Sequence, residues 1–204
     1  MKKGLALIGI VVAALAVYLL FFNKKENQPE APKDQPLAQS KNSDAFNQPF
    51  NQFLTAYYSL KDALVEWDTA KASTQATALA NLADKLPFAE LKADSTLVLT
   101  AKNFAESISA ESRSISLDTA IEEKRKSFYT LSESLYSLLN TVRYDQQVMY
   151  HIKCPMAFGD DKAAYWISNS ADIVNPYLGK KHPRYHSAMV NCGNVEDSID
   201  WRKK

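Results

Sequence analysis

Between Gly9 and Gly159 the sequence contains no glycine, and this gap constrains the fold more than any other feature. Glycine weakens helices because its backbone loses the most conformational freedom on folding. A glycine-free stretch of this length therefore favours long, uninterrupted helices.

Four segments of this stretch carry apolar residues at the helical spacing of three and four. They run from Phe50 to Trp67, from Ala72 to Leu86, from Leu97 to Ile108 and from Leu117 to Val142. Asp68 or Thr69 is a candidate N-cap of the second segment, and Thr119-x-x-Glu122 has the pattern of a capping box before the fourth. Because short connections imply antiparallel neighbours, the sequence predicts a mainly α fold with an up-and-down four-helix bundle over residues 49–144.

Residues 1–22 are predicted to form a membrane anchor. Leu5–Phe22 is an uncharged run of 18 residues, which as a helix is about 27 Å long and close to the thickness of a bilayer core. Lys2 and Lys3 precede it and favour a single-pass N-terminal transmembrane helix with a cytoplasmic N-terminus. A cleaved signal peptide is the alternative, because residues 14–16 have the small-x-small form of a cleavage site. Both interpretations predict export.

Residues 23–48 are predicted to form a disordered tether. The segment is polar, contains Pro29, Pro32 and Pro36, and has no hydrophobic period. It would separate the folded part from the membrane without fixing its orientation.

Residues 145–204 are predicted to form a small, irregular α+β module packed on the bundle. Glycine and proline return here, and both cysteines and all three histidines of the chain lie in this region. A unit of this size buries too little apolar surface to be stable without a disulfide, a metal ion or docking onto another unit.

The first cysteine stretch is predicted to form a strand over Tyr150–Phe158. Alternate residues of a strand share a face. Cys154 and Met156 then lie on the apolar, inward face, and His151 lies on the other face.

The second cysteine stretch is predicted to form a helical turn that begins at Pro183. His186, Met189 and Cys192 follow at intervals of three and share one face of such a turn. Gly193 is a natural residue to end it.

Together the two stretches offer thiolate, thioether and imidazole ligands. Thiolate and thioether favour Cu(I) or Ag(I), whereas Zn(II) prefers cysteine and histidine without methionine. The candidate metal ligands are Cys154, Met156, His186, Met189 and Cys192. His151, Trp166 and His182 are candidate surrounding residues, with Trp166 as a hydrophobic or cation–π shield. No carboxylate-rich loop suggests calcium or magnesium.

A disulfide between Cys154 and Cys192 is the alternative, since exported proteins often join their cysteines. It would close a long loop and stabilise the fold by about 4 kcal/mol in the chain-entropy model. The residues alone leave a disulfide, a metal site and a plain buried core all open.

The order YxxxCPMA, YWxSN, NPYxG and MxxCGxV, which begins at Tyr150 and ends at Val195, resembles an uncharacterised bacterial periplasmic domain. That domain occurs beside, or fused to, copper and silver efflux adaptors of the CusB type. The resemblance covers roughly residues 50–200, and it implies a copper-binding module with Cys154, Met156, Met189 and Cys192 as ligands. One departure is the longer segment between Gly179 and Met189, which carries His182 and His186.

Together with this resemblance, these features predict a single-pass protein of the bacterial inner membrane, whose folded part in the periplasm binds Cu(I) or Ag(I) as a buffer, sensor or chaperone for efflux. Its expected partner is an efflux adaptor or another envelope protein. The alternative is a disulfide-stapled helical interaction module without a metal. A net charge of +1 argues against a nucleic-acid partner. An enzyme is not expected, because the inward Cys154 has no glycine-rich oxyanion loop beside it.

Overall fold

Four helices and a three-stranded sheet form the fold in the computed structural model, which describes residues 41–159 and 161–202. The helices are α1 (Asp44–Val65), α2 (Thr69–Ala83), α3 (Ser95–Leu117) and α4 (Ile121–Val142), with a 3-10 turn at Phe88–Glu90 before α3. The strands are β1 (Met149–Cys154), β2 (Ala164–Ser168) and β3 (Asn194–Ile199). The predicted mainly helical fold with four helices is confirmed, and the up-and-down order of the helices stays a prediction.

The predicted membrane anchor, Leu5–Phe22, and residues 23–40 of the predicted tether lie outside the described residues. In the part of the chain that the structure describes, every helix is too short or too polar to cross a membrane.

The first helix begins earlier than predicted, at Asp44 rather than near Phe50. Residues 44–48 therefore belong to α1 and not to the tether. The Ser43 hydroxyl accepts a hydrogen bond from the Phe46 backbone N–H at 3.3 Å and caps the helix. Phe46 is fully buried and stacks on Phe50 with ring centroids 5.2 Å apart, and we attribute the toleration of Pro49 inside the helix to this packing.

One predicted cap is confirmed and the other is wrong. The Asp68 carboxylate accepts a hydrogen bond from the Lys71 backbone N–H at 2.9 Å and caps α2. The N-cap of α4 is Ala120, without a side-chain cap, rather than Thr119. Leu117 is the last residue of α3 and is 81% exposed. Because α3 continues to Leu117, a three-residue connection makes the turn and the start of α4 falls one residue later.

Consecutive helices pack against one another, and a single tyrosine joins α1 to both α4 and the sheet. The buried Tyr57 ring stacks on Phe128 of α4 with centroids 5.3 Å apart. Its hydroxyl lies 2.8 Å from the Ser132 hydroxyl and accepts a hydrogen bond from the Ile167 N–H of β2 at 3.0 Å. Helices and sheet thus share one core, within the compact unit Leu37–Lys204.

The sheet is antiparallel with the order β2-β1-β3. A bulge in β3 leaves Glu196 unpaired between the partners of His151 and Ile152, while β1 pairs with β2 without a register shift. His151 and Ile152 therefore point to opposite faces of the sheet, and both are buried. The prediction that the face of His151 points away from the core is therefore wrong. The predicted strand through Phe158 is also too long: it ends at Cys154, since Pro155 has no N–H to continue the ladder. Met156 consequently lies in a turn.

The predicted helical turn from Pro183 to Cys192 is a series of tight turns instead. His182 and His186 form an isolated antiparallel bridge, in which the His186 backbone N–H donates to the His182 carbonyl at 2.8 Å. His186 has a φ of +49°, which is incompatible with a continuing right-handed helix. The spacing of three therefore does not place these residues on a helix face.

Candidate functional site

Two free cysteines from distant segments meet beside the sheet. The Sγ atoms of Cys154 and Cys192 are 3.9 Å apart, across 38 residues of sequence. Cys154 is the last residue of β1, and Cys192 lies two residues before β3. Lys153 pairs with Asn194 in the register of these strands, so the ladder itself places the two cysteines side by side. The expected convergence of the two sulfurs is therefore present.

Gly193 allows the two chain segments to come this close. Its φ is +150°, and a Cβ atom at this position would lie 2.8 Å from the Lys153 carbonyl oxygen and 3.1 Å from Cη2 of Trp166. Contacts below 3 Å are not tolerated by a side chain, so the backbone beside Cys192 can approach β1 only as glycine. Trp166, which the sequence proposes as a shield, therefore packs against the backbone next to Cys192.

Asn175 connects the segments that carry the two thiols. This fully buried side chain donates to the Cys192 carbonyl at 2.7 Å and accepts hydrogen bonds from the backbone N–H groups of Tyr177 at 2.8 Å and Leu178 at 3.0 Å. Asn175 also lies near enough to the Cys154 sulfur to lower the pKa of that thiol. The amide of Asn175 thereby fixes the backbone of one cysteine and lies beside the thiol of the other.

The loop that carries Asn175 is anchored on the helices by Trp67 and Arg125. The Trp67 indole N–H donates to the Leu178 carbonyl at 3.0 Å, and Arg125 Nε donates to the Pro176 carbonyl at 3.0 Å. The Arg125 guanidinium lies 3.9 Å above the Trp67 ring. These contacts hold the thiol site in a fixed position relative to α1 and α4.

The Cys154 thiol is a weak acid. Burial, and to a smaller extent the proximity of Cys192, raise its pKa to about 11 against the opposing effect of the Met156 backbone and the Asn175 side chain. Cys154 is therefore protonated at neutral pH, and any ligand that binds its thiolate must displace a proton.

Both methionines named from the sequence lie close to a cysteine along the chain. Met156 lies two residues after Cys154, and its backbone lowers the pKa of the Cys154 thiol. The Met189 carbonyl accepts a hydrogen bond from the Cys192 N–H at 3.0 Å. Both side chains are half-buried and pack against the core.

The three histidines occupy three different environments. His151 is buried between the rings of Tyr136 and Tyr165, with centroids 4.2 Å and 4.8 Å away. His182 accepts backbone N–H groups through Nδ1, and His186 is exposed. In residues 41–159 and 161–202, no three His, Cys, Asp or Glu residues form a group that could hold a metal ion. The two thiols are thus the pair of predicted ligands that the structure brings together.

Asn175 and Arg125 organise the site, but the sequence pattern did not identify them. Asn175 reads as part of an Asn-Pro turn, and Arg125 reads as a polar position of an amphipathic helix. Arg125 is nevertheless only 3% exposed. The one local signal is the NPYLG segment itself, whose role depends on contacts with α1 and α4 that are distant in sequence.

Comparison with known proteins finds a similarity in the helical part of the chain. Residues 53–147 match the model of a domain family described as "Protein of unknown function (DUF3347)". The match covers less than half of the 204 residues and ends before β1, so neither cysteine lies in it. No curated protein and no solved structure is significantly similar to the chain.

Proposed function

We propose that the paired thiols of Cys154 and Cys192 bind one soft metal ion, Cu(I) or Ag(I), in a membrane-tethered periplasmic protein. The observation that carries the proposal is the 3.9 Å separation of the two sulfurs. Two thiolates that each lie about 2.3 Å from a shared ion are about 3.8 Å apart in tetrahedral geometry and about 4.6 Å apart in linear geometry. The thiols therefore need little movement to share an ion.

The chemistry of the surroundings supports a soft ion over a hard one. Thiolates with thioethers close by favour Cu(I) and Ag(I), whereas Zn(II) would require further cysteine or histidine ligands. Met156 and Met189 are the candidate third ligands, and His186 remains a candidate from the sequence. His151, Trp166 and His182 are proposed as surrounding groups and not as direct ligands.

The unequal exposure of the cysteines supports a role in metal transfer. Cys192 is half-exposed and Cys154 is buried. An incoming ion would meet Cys192 first and then exchange its second ligand for Cys154. Release to a partner would reverse this order. Such exchange suits a copper or silver buffer, sensor or chaperone linked to efflux, with an efflux adaptor or another envelope protein as the partner.

The proposal predicts tight Cu(I) binding at a stoichiometry of one ion per chain. In a competition titration of the reduced protein with a chromogenic Cu(I) chelator, we expect Cys154→Ser and Cys192→Ser each to weaken binding by about 1,000-fold, since each removes one of two thiolates. Met156→Leu and Met189→Leu, which preserve apolar volume, test the thioethers and should weaken binding by about tenfold or less. Affinity no tighter than micromolar, or unchanged affinity in the double serine variant, would refute the proposal.

Metal affinity should rise steeply with pH. Because the pKa of Cys154 is about 11, its thiol must lose a proton on binding throughout the range from about pH 6 to pH 9. We expect the apparent Cu(I) affinity to increase by at least about tenfold per pH unit over this range. The same titration at several pH values measures the slope, and a pH-independent affinity would exclude Cys154 as a thiolate ligand.

A disulfide between the same residues is the second candidate, giving a stapled interaction module without a metal. It is favoured by the same sulfur separation, because a side-chain rotation can bring neighbouring thiols into bonding distance. A thiol count of the purified protein with and without reductant distinguishes the two states. Two reactive thiols before reduction support the metal site, and none supports the disulfide.

A further inference from the structure

A second feature of the molecule is a cavity beside Trp67 and Arg125, which adjoins the thiol site through Met156. Its volume is about 430 Å³, within the range of about 300–1,000 Å³ that small-molecule pockets occupy. The first turns of α4 form one wall of the cavity. The loop between β1 and β2 and the loop between β2 and β3 form the others. Aromatic rings line it from several sides, namely those of Trp67, Phe158, Tyr177 and Tyr185.

The charge of the cavity is predominantly positive. Arg125, Lys126 and Arg184 line it together with a single carboxylate, Glu122. The pKa of His182, which also lines it, is lowered by burial and then by Arg125 and Arg184, which favours the neutral imidazole at neutral pH. The lining therefore attracts anions.

Arg125 is the unusual group in this lining. The side chain is almost fully buried, and burial lowers its pKa to about 10. Two of its five N–H donors are used by the carbonyls of Pro176 and Leu64. Among the described residues no carboxylate forms an ion pair with it, although Glu122 lies near enough to raise its pKa. A buried cation without a carboxylate is costly unless another anion compensates it.

We propose that this cavity binds a small organic anion, with one carboxylate or phosphate group on a flat apolar body. The anionic group pairs with Arg125, a residue suited to planar bidentate recognition of carboxylate and phosphate. The apolar body lies among the aromatic side chains. Arg184 at the exposed rim supplies long-range attraction, which salt screens, and Lys126 adds to it although it also pairs with Glu123 at 2.6 Å.

The proposal is tested with 2-naphthoate as the probe, in isothermal titration calorimetry with the full-length protein. We expect one binding site and an affinity at least about tenfold higher than for 2-naphthamide, the neutral isostere. 2-Naphthyl phosphate, measured in parallel, distinguishes a preference for phosphate from one for carboxylate. Equal affinities for 2-naphthoate, 2-naphthyl phosphate and the neutral amide would overturn the proposal.

Two variants assign the site. Arg125→Met should weaken 2-naphthoate binding by at least about tenfold, and Arg202→Met, which removes an exposed arginine outside the cavity, should leave it unchanged. If Arg125→Met does not fold, the double variant Lys126→Gln/Arg184→Gln replaces two exposed side chains and is expected to reduce both the affinity and its salt dependence. Unchanged 2-naphthoate affinity in a folded Arg125→Met protein, or in the double rim variant, would refute the assignment.

Discussion

Replacing Gly179 with alanine is expected to lower the free energy of unfolding by about 3–5 kcal/mol. The φ of Gly179 is +58°, and a Cβ atom there would lie 2.6 Å from both the Val65 carbonyl oxygen and Trp67 Nε1. The clash would displace the loop from α1, where the Lys180 N–H donates to the Val65 carbonyl at 2.8 Å. Urea denaturation followed by circular dichroism measures the loss.

Gly159→Ala is the matched control for this substitution. Gly159 also has a positive φ, +106°, but a Cβ atom added there would meet no other atom within 4 Å. Alanine there carries backbone strain without a steric clash, which costs about 1–3 kcal/mol. A loss for Gly179→Ala no larger than that for Gly159→Ala would contradict the close packing of this loop on Trp67.

Replacing Asn175 with alanine is expected to cost about 4 kcal/mol of unfolding free energy and to separate the thiols. The substitution leaves two buried backbone N–H groups, those of Tyr177 and Leu178, and the Cys192 carbonyl without partners. Each buried group without a partner costs about 1–3 kcal/mol. Cu(I) affinity should fall together with stability, because the Cys192 backbone is no longer held beside Cys154.

Asn191→Ala provides the control, since Asn191 is exposed and directly precedes Cys192. Its effect on unfolding free energy should stay within about 0.5 kcal/mol, as for most surface substitutions. If the two asparagine variants had equal stability and equal Cu(I) affinity, Asn175 would not organise the site.

The helices could be predicted from the sequence because their information is local. Apolar residues such as Phe53, Leu60 and Leu64 recur at helical spacing and are fully buried. Asp68 caps α2 by a contact to Lys71, three residues away. The predicted start of α1 is too late, although the Ser43 cap and the Phe46–Phe50 stack are local contacts. Periodicity does not show the packing of Phe46 against Phe88, which is distant in sequence.

The candidate site could be predicted only in part. The need of a small C-terminal region for a stabilising element correctly suggested that Cys154 and Cys192 converge. Alternation alone could not show that His151 is buried, because the face of β1 that carries it is also covered, with Tyr136 of α4 stacked on the His151 ring. The spacing of three did not predict the conformation at His186, because the positive φ of this residue prevents a continuous helical turn. Neither this packing nor the turn has a strong local sequence signal.

Tertiary contacts also explain why Asn175 and Arg125 were not recognised. Arg125 donates to the carbonyl oxygens of Pro176 and Leu64, which are 51 and 61 residues away. Periodicity can assign such a residue to a helix, but it cannot identify the carbonyl groups that the side chain reaches. The organisation of the thiol site depends on these long-range hydrogen bonds.

The central claim is that Cys154 and Cys192 jointly bind one soft metal ion. X-ray absorption at the copper edge, on reduced protein loaded with one equivalent of Cu(I), tests it most directly. We predict a first coordination shell of two or three sulfur atoms that is lost in the Cys154→Ser/Cys192→Ser variant. A shell of nitrogen and oxygen atoms, or a sulfur shell unchanged by the double substitution, would contradict the claim.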